Sequence, residues 1–498
     1  MIGGVVHSAL LLVLAVQCPD GQPACPRPRP PTALAVMYFE NASRDSADRS
    51  LVEAISEEVM DRLDGVGRFA VRSRHSVNAW REQPPSDYRQ LGRTLRVDYI
   101  ITGTFRRFGN RIRVSAELVD PAANTQIWSE RFDRSDGAAL ELVSEVASEI
   151  ATRLLGRLEP AERSTVRRRP TTNRAFEHFA AGNFLLRNRS GIDEAIAEYR
   201  AAVRLDPRYA AALGRFALAH ALWLHWGPNR NPAQRDSVLR AGMEAAERAI
   251  QLEPSSSDAW MARGYLRATA GPDQLALGRA DLERAIQLDS DNAEAWHQLA
   301  STLAALGQDS AAFAAFDRAL AIEPSRFITL YERAVLLLTL GRLPAARTLF
   351  DSARAIERNW HFGQRIEYLR TLVLLGDTAE AHAALRDWRG GDTLTRDCPI
   401  TCVIEAHLVA RQGDTARART LLARSSTFRQ RLRRDSIPAE GCTLWVSSYL
   451  LANEKARALN ALRQVRPAAQ RAMQLRHPAC ASLRADPEYD RLLAEATR

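Results

Sequence analysis

One phrase recurs through the second half of the chain and restricts the folds it can adopt. It reads AIQLEPSSSDAW, then AIQLDSDNAEAW, then ALAIEPSRFITLY. Pro254, Ser290 and Pro324 take the same place in the three copies, at spacings of 36 and 34 residues. A repeat of this length is typical of a solenoid, in which stacked copies of one unit share a continuous core. We therefore expect a run of similar units over residues 173–498.

The clearest copy covers residues 293–324 and resembles the tetratricopeptide repeat. Ala300 and Ala312 are small enough to let two antiparallel helices approach, and Trp296 and Phe316 fill the space between neighbours. The resemblance implies about eight helical pairs in an all-α superhelical solenoid with a concave inner surface. The signature positions of this copy are Trp296, Ala300, Leu303, Gly307, Ala312, Phe316, Ala319 and Pro324.

A solenoid of this family has no chemistry of its own and offers its groove to a protein or peptide partner. The resemblance implies that the first helix of each pair lines this groove. These positions favour an apolar and aromatic ligand, and the alternative is that they pack against the neighbouring repeat. Carried over from the family spacing, the groove-facing candidates are Met261, Tyr265, His297, Tyr331 and Val335.

Residues 33–158 have a different pattern, in which strand-like and helix-like segments alternate. ALAVMYFEN reads as a buried strand, residues 51–63 as an amphipathic helix and residues 69–77 as a second strand. A short helix capped by Ser86 or Asp87 comes before three strands, two of them joined by a Gly-Asn turn, and a last helix follows. The sequence predicts an α+β domain of order βαβαβββα, with helices packed on a mixed sheet.

Two segments of this domain, FENAS at 39–43 and YIITGTFRRFGNRIRVSAELVDPAANTQIWSERFDR at 99–134, resemble the bacterial TolB amino-terminal-like domain, also called FlgO-like. In that family the domain accompanies adenylate cyclases, winged-helix regulators, protein kinases and helical-repeat proteins, which implies a role in signalling or envelope assembly. The structural alternatives for its candidate residues are a turn-capping asparagine, two solvated arginines and a core tryptophan. The candidates for ligand or partner contact are Asn41, Arg106, Arg107 and Trp128.

The N-terminus predicts export. Residues 1–17 contain an apolar run that suits a signal-peptide core and is too short to span a bilayer, with a truncated membrane helix as the alternative. Residues 18–32 form a tether, in which Cys18 and Cys25 could close as a disulfide before a proline-rich spacer. We expect a periplasmic or membrane-anchored protein facing the periplasm, and the alternative is a cytoplasmic one.

The charge pattern does not favour a nucleic-acid partner. The chain has 68 Lys and Arg against 59 Asp and Glu, a net charge of +9. Lys455 is the single lysine, and the arginines are scattered among acidic residues rather than grouped as in a phosphate-binding patch. We read residues 159–172 as a linker between the two domains and interpret their three consecutive arginines as solvated.

No arrangement of residues predicts catalysis, a cofactor or a metal site. The chain lacks a lysine in a glycine-rich turn, an HExxH motif and a nucleophile at a catalytic spacing from a base. Cys398 and Cys402 have a metal-like spacing, yet a structural zinc site needs four ligands, and Cys442 and Cys480 lie far along the chain. A local disulfide, a bridge to Cys442 or Cys480, and unbridged buried cysteines are all open.

Together these features predict a non-catalytic adaptor of the bacterial cell envelope whose helical groove binds a protein or peptide. The alternative is the periplasmic sensory part of a signalling system of the kinase, adenylate cyclase or winged-helix regulator type. In either case a tether at the N-terminus would hold the folded body near a membrane.

Overall fold

The computed structural model contains an α+β domain followed by a helical array. The predicted leader and tether, with Cys18 and Cys25, lie outside the described residues, and so does Cys398. The described residues are 32–43, 45–72, 74–80, 87–167, 171–187, 191–226, 232–357, 360, 362–389, 401–431, 442–463 and 478–497.

The α+β domain is built on one mixed sheet. Its strands are β1 Thr32–Val36, β2 Glu40–Asn41, β3 Phe69–Val71, β4 Tyr99–Phe108, β5 Arg111–Asp120 and β6 Thr125–Ser135. They lie in the order β3-β1-β4-β5-β6, and β2 pairs with β4. β1 runs parallel to β3 and β4, whereas β4-β5 and β5-β6 are antiparallel. The predicted hairpin is confirmed, with Gly109 at φ +59° in its turn.

Helices pack against this sheet. They are α1 Arg49–Asp64, α2 Arg74–Val77, α3 Tyr88–Leu95, α4 Ala139–Leu155 and α5 Pro160–Arg167. α1 packs on α4, and their apolar residues meet alternate residues of β4 and β5 in a fully buried core. Asp87 is the cap of α3, because its side chain accepts a hydrogen bond of 2.9 Å from Arg89 N. The predicted mixed sheet with helices is confirmed.

Three details differ from the sequence prediction. The strand expected over residues 33–41 is divided into β1 and β2. The strand expected over residues 69–77 ends at Val71, and residues 74–77 form α2. Just beyond this strand, the Arg72 guanidinium donates to Leu95 O and Arg96 O at 2.6 and 2.9 Å, which are contacts no local pattern reveals. In addition, α5 lies inside the predicted linker and is tied to the domain by a 3.1 Å hydrogen bond from Arg62 Nη1 to Val166 O.

Gly103 allows β4 and β5 to pack closely. A Cβ atom at this position would lie 2.4 Å from Ser115 O, so the two strands would have to separate. We expect Gly103→Ala to lower the free energy of unfolding of this domain by about 1–3 kcal/mol, measured by urea unfolding with circular dichroism. Gly137→Ala is the control, because its Cβ would meet nothing within 4 Å. An equal loss in both variants would contradict this explanation.

The array contains eight successive helical pairs within the described residues. The first helix of each pair contacts the first helix of the next, which stacks the units in series. The helices are α6 Asn173–Arg187, α7 Ile192–Leu205, α8 Ala210–Trp226, α9 Pro232–Leu252, α10 Ser257–Ala270, α11 Leu275–Leu288, α12 Ala293–Ala305, α13 Asp309–Ile322, α14 Phe327–Thr339, α15 Leu343–Ile356, α16 Phe362–Leu375, α17 Thr378–Arg389, α18 Thr401–Arg411, α19 Thr415–Arg431, α20 Cys442–Leu451, α21 Lys455–Arg463 and, after the eighth pair, α22 Pro487–Thr497.

The recurring phrase produces the same local contacts in successive units. Ser256 and Asn292 are the N-caps of α10 and α12, and the side chain of each accepts a hydrogen bond from the backbone N–H of the third residue after it. Trp260 and Trp296 each donate from the indole to a turn carbonyl six residues earlier, at 2.9 Å. The alanines between paired helices are fully buried. Positive φ values recur at the turns of Gly307, Gly341, Gly376 and Gly413.

No helix within the described stretches has both the length and the apolar character needed to cross a membrane.

Candidate interaction site

A cleft of about 340 Å³ lies between the α+β domain and the array. One wall comes from Tyr38 between β1 and β2, from α1, and from α2 with the residue after it. The other comes from the first two pairs of the array and from the turns around α12 to α15. These two walls face each other because α1 packs against α6. The ionisable carboxylate and guanidinium residues that line the cleft are Glu53, Glu57, Arg74, Arg215, Glu294, Glu323, Arg326 and Glu357.

Contacts with the array hold the α+β domain at this cleft. Arg74 of α2 forms an ion pair with Asp258, at the start of α10, and Arg215 of α8 lies 3.4 Å from the same carboxylate. Ser76 donates a 2.8 Å hydrogen bond to Asp291, in the turn before α12. Two side chains of α2 therefore contact the array, one at the start of α10 and one in the turn before α12.

Charge and burial compete at Arg74. Burial disfavours its charged form, but the carboxylates of Glu57 and Asp61 outweigh this effect, and the pKa of Arg74 is raised. Burial, and then the nearby charge of Arg74, lower the pKa of Arg215. Burial also raises the pKa of Tyr199, whose hydroxyl donates to Asn183 at 2.8 Å. Arg74 thus remains a cation between acidic residues of both domains.

The far end of the cleft has a second fixed cation. Arg326, in the turn before α14, donates to Glu323 at 3.0 Å and forms an ion pair with Glu294 of α12. Burial opposes its charge, yet these two carboxylates raise its pKa. Buried Nε atoms of Arg74 and Arg326 have no hydrogen-bond partner within the described residues.

The lining of the cleft has more acidic than basic side chains. Five carboxylates face three guanidinium groups, which gives the lining residues a formal charge of −2. Such a surface attracts cationic groups, and cleft walls of low dielectric strengthen that attraction. The apolar and aromatic ligand predicted from the sequence concerns the groove of the array rather than this cleft, and it stays a prediction.

Three of the four residues singled out in the α+β domain lie in one local network. Asn41 accepts from Ser43 N at 3.0 Å and donates to Asp45 O at 2.8 Å, so it organises the turn after β2. Arg107 pairs with Asp48 at 2.6 Å and with Asp136. The same network reaches exposed Arg106, whose Nε lies 3.5 Å from Ala42 O, and half-buried Trp128 stands apart from it on β6. Their contact with a partner stays a prediction.

The candidates for the array groove lie mostly inside the array. Met261, Tyr265, His297 and Tyr331 are buried, and Val335 is half-buried. His297 Nδ1 lies 3.2 Å from Thr329 Oγ1, and the ring of Tyr331 lies 5.5 Å from that of Phe350. None of the five lines the cleft between the domains. Their role in ligand binding stays a prediction.

Sequence reasoning missed the charged residues of the cleft. Their signal was present, because an acidic residue follows the second helix in each copy of the recurring phrase. Glu323 and Glu357 reach the cleft from this position, and Asp289 acts on Arg74 through its charge. The equivalent residues are Asp206, Glu253, Asp289, Glu323 and Glu357.

The structure describes the side chains of Cys402 and Cys480. Cys402 is in a disulfide whose second cysteine lies outside the described side chains. Cys480 is a buried thiol, and burial raises its pKa to about 12. No group of three or more histidine, cysteine or acidic side chains suits a metal ion in the part of the chain that the structure describes.

Two family models match parts of the chain. Residues 293–326 match the tetratricopeptide repeat, on the copy with the signature residues described above. The helical pairs form a tetratricopeptide repeat (TPR) array. Residues 31–150 match the second domain of HilA/YgeH-like transcriptional regulators. The α+β domain is thus similar to a domain of these regulators, and not specifically to TolB or FlgO.

Individual proteins give partial likenesses. Over 149 residues the chain is 31% identical to "Putative adenylate cyclase 3" of Rhizobium meliloti (strain 1021), covering 30% of this chain and 24% of that protein. The match thus spans about a quarter of that curated relative. A TPR protein of Thermus thermophilus is 18% identical, with coverages of 40% and 99% and a TM-score of 0.34. One from Parabacteroides merdae is 17% identical, with coverages of 53% and 94% and a TM-score of 0.36.

Proposed function

We propose that this chain is a non-catalytic adaptor of the bacterial cell envelope that holds a partner protein through its TPR array and the adjoining cleft. One observation carries the proposal: the cleft is shared by both domains and lined by five carboxylates against three guanidinium groups. A partner with an extended basic segment would complement this lining.

Peptide selection tests the binding step. Peptides selected from a random displayed library on the full chain are expected to be rich in Lys and Arg. We expect Glu53→Gln with Glu57→Gln to weaken the binding of a selected synthetic peptide roughly tenfold, because two carboxylates of the α1 wall lose their charge. Fluorescence anisotropy measures the Kd.

A matched pair of substitutions controls for lost charge elsewhere. Glu244→Gln with Glu247→Gln removes two exposed carboxylates from α9, away from the cleft. This variant is expected to bind like the unchanged chain. Selection of acidic or apolar peptides, or equal affinity of both double variants, would contradict the assignment of the cleft.

The periplasmic location is part of the same proposal. The disulfide at Cys402 supports it, because disulfides persist in oxidising compartments. Cell fractionation followed by sequencing of the mature N-terminus tests it. A periplasmic product is expected, whereas an uncut product confined to the cytoplasm would contradict it.

A second candidate is the sensory part of a signalling system. The match of residues 31–150 to a regulator domain and the likeness to a protein named as an adenylate cyclase favour this alternative. Transcript mapping across the first codon distinguishes it. A reading frame that continues upstream into a kinase, cyclase or DNA-binding domain would support the regulator and contradict the separate adaptor.

A further inference from the structure

The outermost strand of the α+β sheet, β6, is open along one side. Within the described residues it pairs with β5 alone. It is 11 residues long, has neither proline nor lysine, and exposes most of its side chains. Unpaired backbone groups of an open edge can accept a further strand, and charged side chains on that edge limit which strand fits. We propose that β6 pairs antiparallel with β6 of a second copy of this chain, with Phe132 opposite Phe132 of that copy.

The regular part of β6 sets the centre of this pairing. A bulge interrupts the ladder where Leu118 pairs with Trp128 and Val119 with Gln126, so regular pairing with β5 covers residues 128–135. Phe132 lies beside the midpoint of that segment. A symmetric pair centred on Phe132 therefore pairs residues 129–135 and leaves only Trp128 of the regular edge unpaired.

The direction of the backbone N–H and C=O groups along β6 fits this arrangement. Asp136 N donates to Asn110 O at 2.8 Å, which shows that even-numbered residues at this end of β6 direct their backbone groups toward β5. In an antiparallel strand the odd-numbered residues then direct theirs outward. With Phe132 at the centre, outward-facing Arg131 meets outward-facing Asp133 of the second copy, and Ser129 meets Ser135.

The side chains are complementary in the same register. Arg131 lies opposite Asp133 of the second copy, and Glu130 lies opposite Arg134, so symmetry produces four pairs of opposite charge. Asp133 is already held by two hydrogen bonds from Arg113 at 2.8 and 3.1 Å, and Arg134 by an ion pair with Glu145. Glu130 and Arg131 are exposed and ready to meet the ordered charges of the other copy.

Neighbouring registers lack this match. Side chains alternate between the two faces of a sheet. Only a pairing whose symmetry centre lies on a residue therefore places the corresponding faces of the two sheets on the same side. A centre at Glu130, Arg131 or Asp133 places a charge opposite its own copy, which is unfavourable. Among the centres near the middle of the edge, charge therefore selects Phe132.

The resulting dimer would join two sheets into one and carry two TPR arrays. Such a scaffold would bind two partners, or one repetitive partner with increased avidity. The inference stands on β6 alone and does not depend on what the cleft binds.

A charge exchange tests the proposal on the full chain. Glu130→Arg with Arg131→Glu keeps the composition but places Arg opposite Arg134 and Glu opposite Asp133. We expect the unchanged chain to have twice its 55.4 kDa mass by light scattering at micromolar concentration, and the exchanged variant to be monomeric. Glu247→Arg with Arg248→Glu, on exposed α9 residues, is the control and is expected to remain dimeric.

Cross-linking fixes the register even if the exchanged variant folds poorly. Chains carrying Ser129→Cys, mixed with chains carrying Ser135→Cys, are expected to yield a 129–135 cross-link between copies, detected by mass spectrometry. Ser129→Cys alone is expected to yield far less. A monomeric unchanged chain, a dimer insensitive to the charge exchange, or the absence of the 129–135 cross-link would each overturn the proposal.

Discussion

Glu367→Ala is expected to lower the free energy of unfolding of the array by about 3–5 kcal/mol, because it removes one partner of a buried ion pair. Glu367 and Arg370 lie one turn apart on α16, and Arg370 Nη1 donates to Glu367 at 2.9 Å. Arg370 is 1% exposed and Glu367 is 6% exposed. Burial raises the pKa of Glu367, and the charge of Arg370 opposes this effect. Without the carboxylate, the guanidinium loses this partner in an apolar core.

A double variant separates this penalty from the value of the pair. Glu367→Leu with Arg370→Met replaces both charges by apolar groups and is expected to be much less destabilising than Glu367→Ala. Urea unfolding followed by circular dichroism provides the free energies. A double variant as unstable as the single variant would show that packing, rather than an uncompensated charge, causes the loss.

Acid is expected to destabilise the last repeats through His407. Its imidazole is buried on α18, where the hydroxyls of Ser447 and Ser448 on α20 lie 3.3 and 3.4 Å from Nδ1. Burial, and then the charge of Arg411, lower the pKa of His407 from 6.5 to about 4. The unfolded chain therefore binds a proton that the folded chain does not. Stability falls as the pH drops from about 6.5 to about 4, by about 3 kcal/mol in total.

His407→Gln removes this titration and keeps a polar side chain. Between about pH 7 and about pH 5, the unchanged chain is expected to lose about 2 kcal/mol more than the variant. Thermal or urea unfolding at the two pH values measures this difference. His382→Gln, half-buried on α17, controls for the loss of an imidazole. Parallel pH profiles for the unchanged chain and His407→Gln would contradict the assignment.

Features with local causes were predictable from the sequence. The TPR unit repeats within about 34 residues, so turn glycines such as Gly307, buried alanines and the tryptophans of α10 and α12 leave a periodic trace. The hairpin at Gly109 and the cap at Asp87 depend on the conformational preferences of a few adjacent residues. Asn124 has φ +57° in the turn between β5 and β6, a left-handed conformation that asparagine tolerates.

Features with distant causes were not predictable in the same way. Arg72, just after the strand that begins at Phe69, bonds to carbonyls more than 20 residues away. The ion pair of Arg74 with Asp258 spans 184 residues. An alternation pattern describes which side of a strand is apolar, but it does not encode such partners.

The sequence by itself determined the two kinds of fold, their order and the repeat unit, because periodicity and turn chemistry act over short distances. Only the tertiary structure decided that α1 and α2 meet the array, that repeated acidic turns line a cleft, and that β6 ends the sheet with an open, self-complementary edge. These depend on how two domains pack and on which strand lies outermost, and both are set by contacts between residues far apart in the chain.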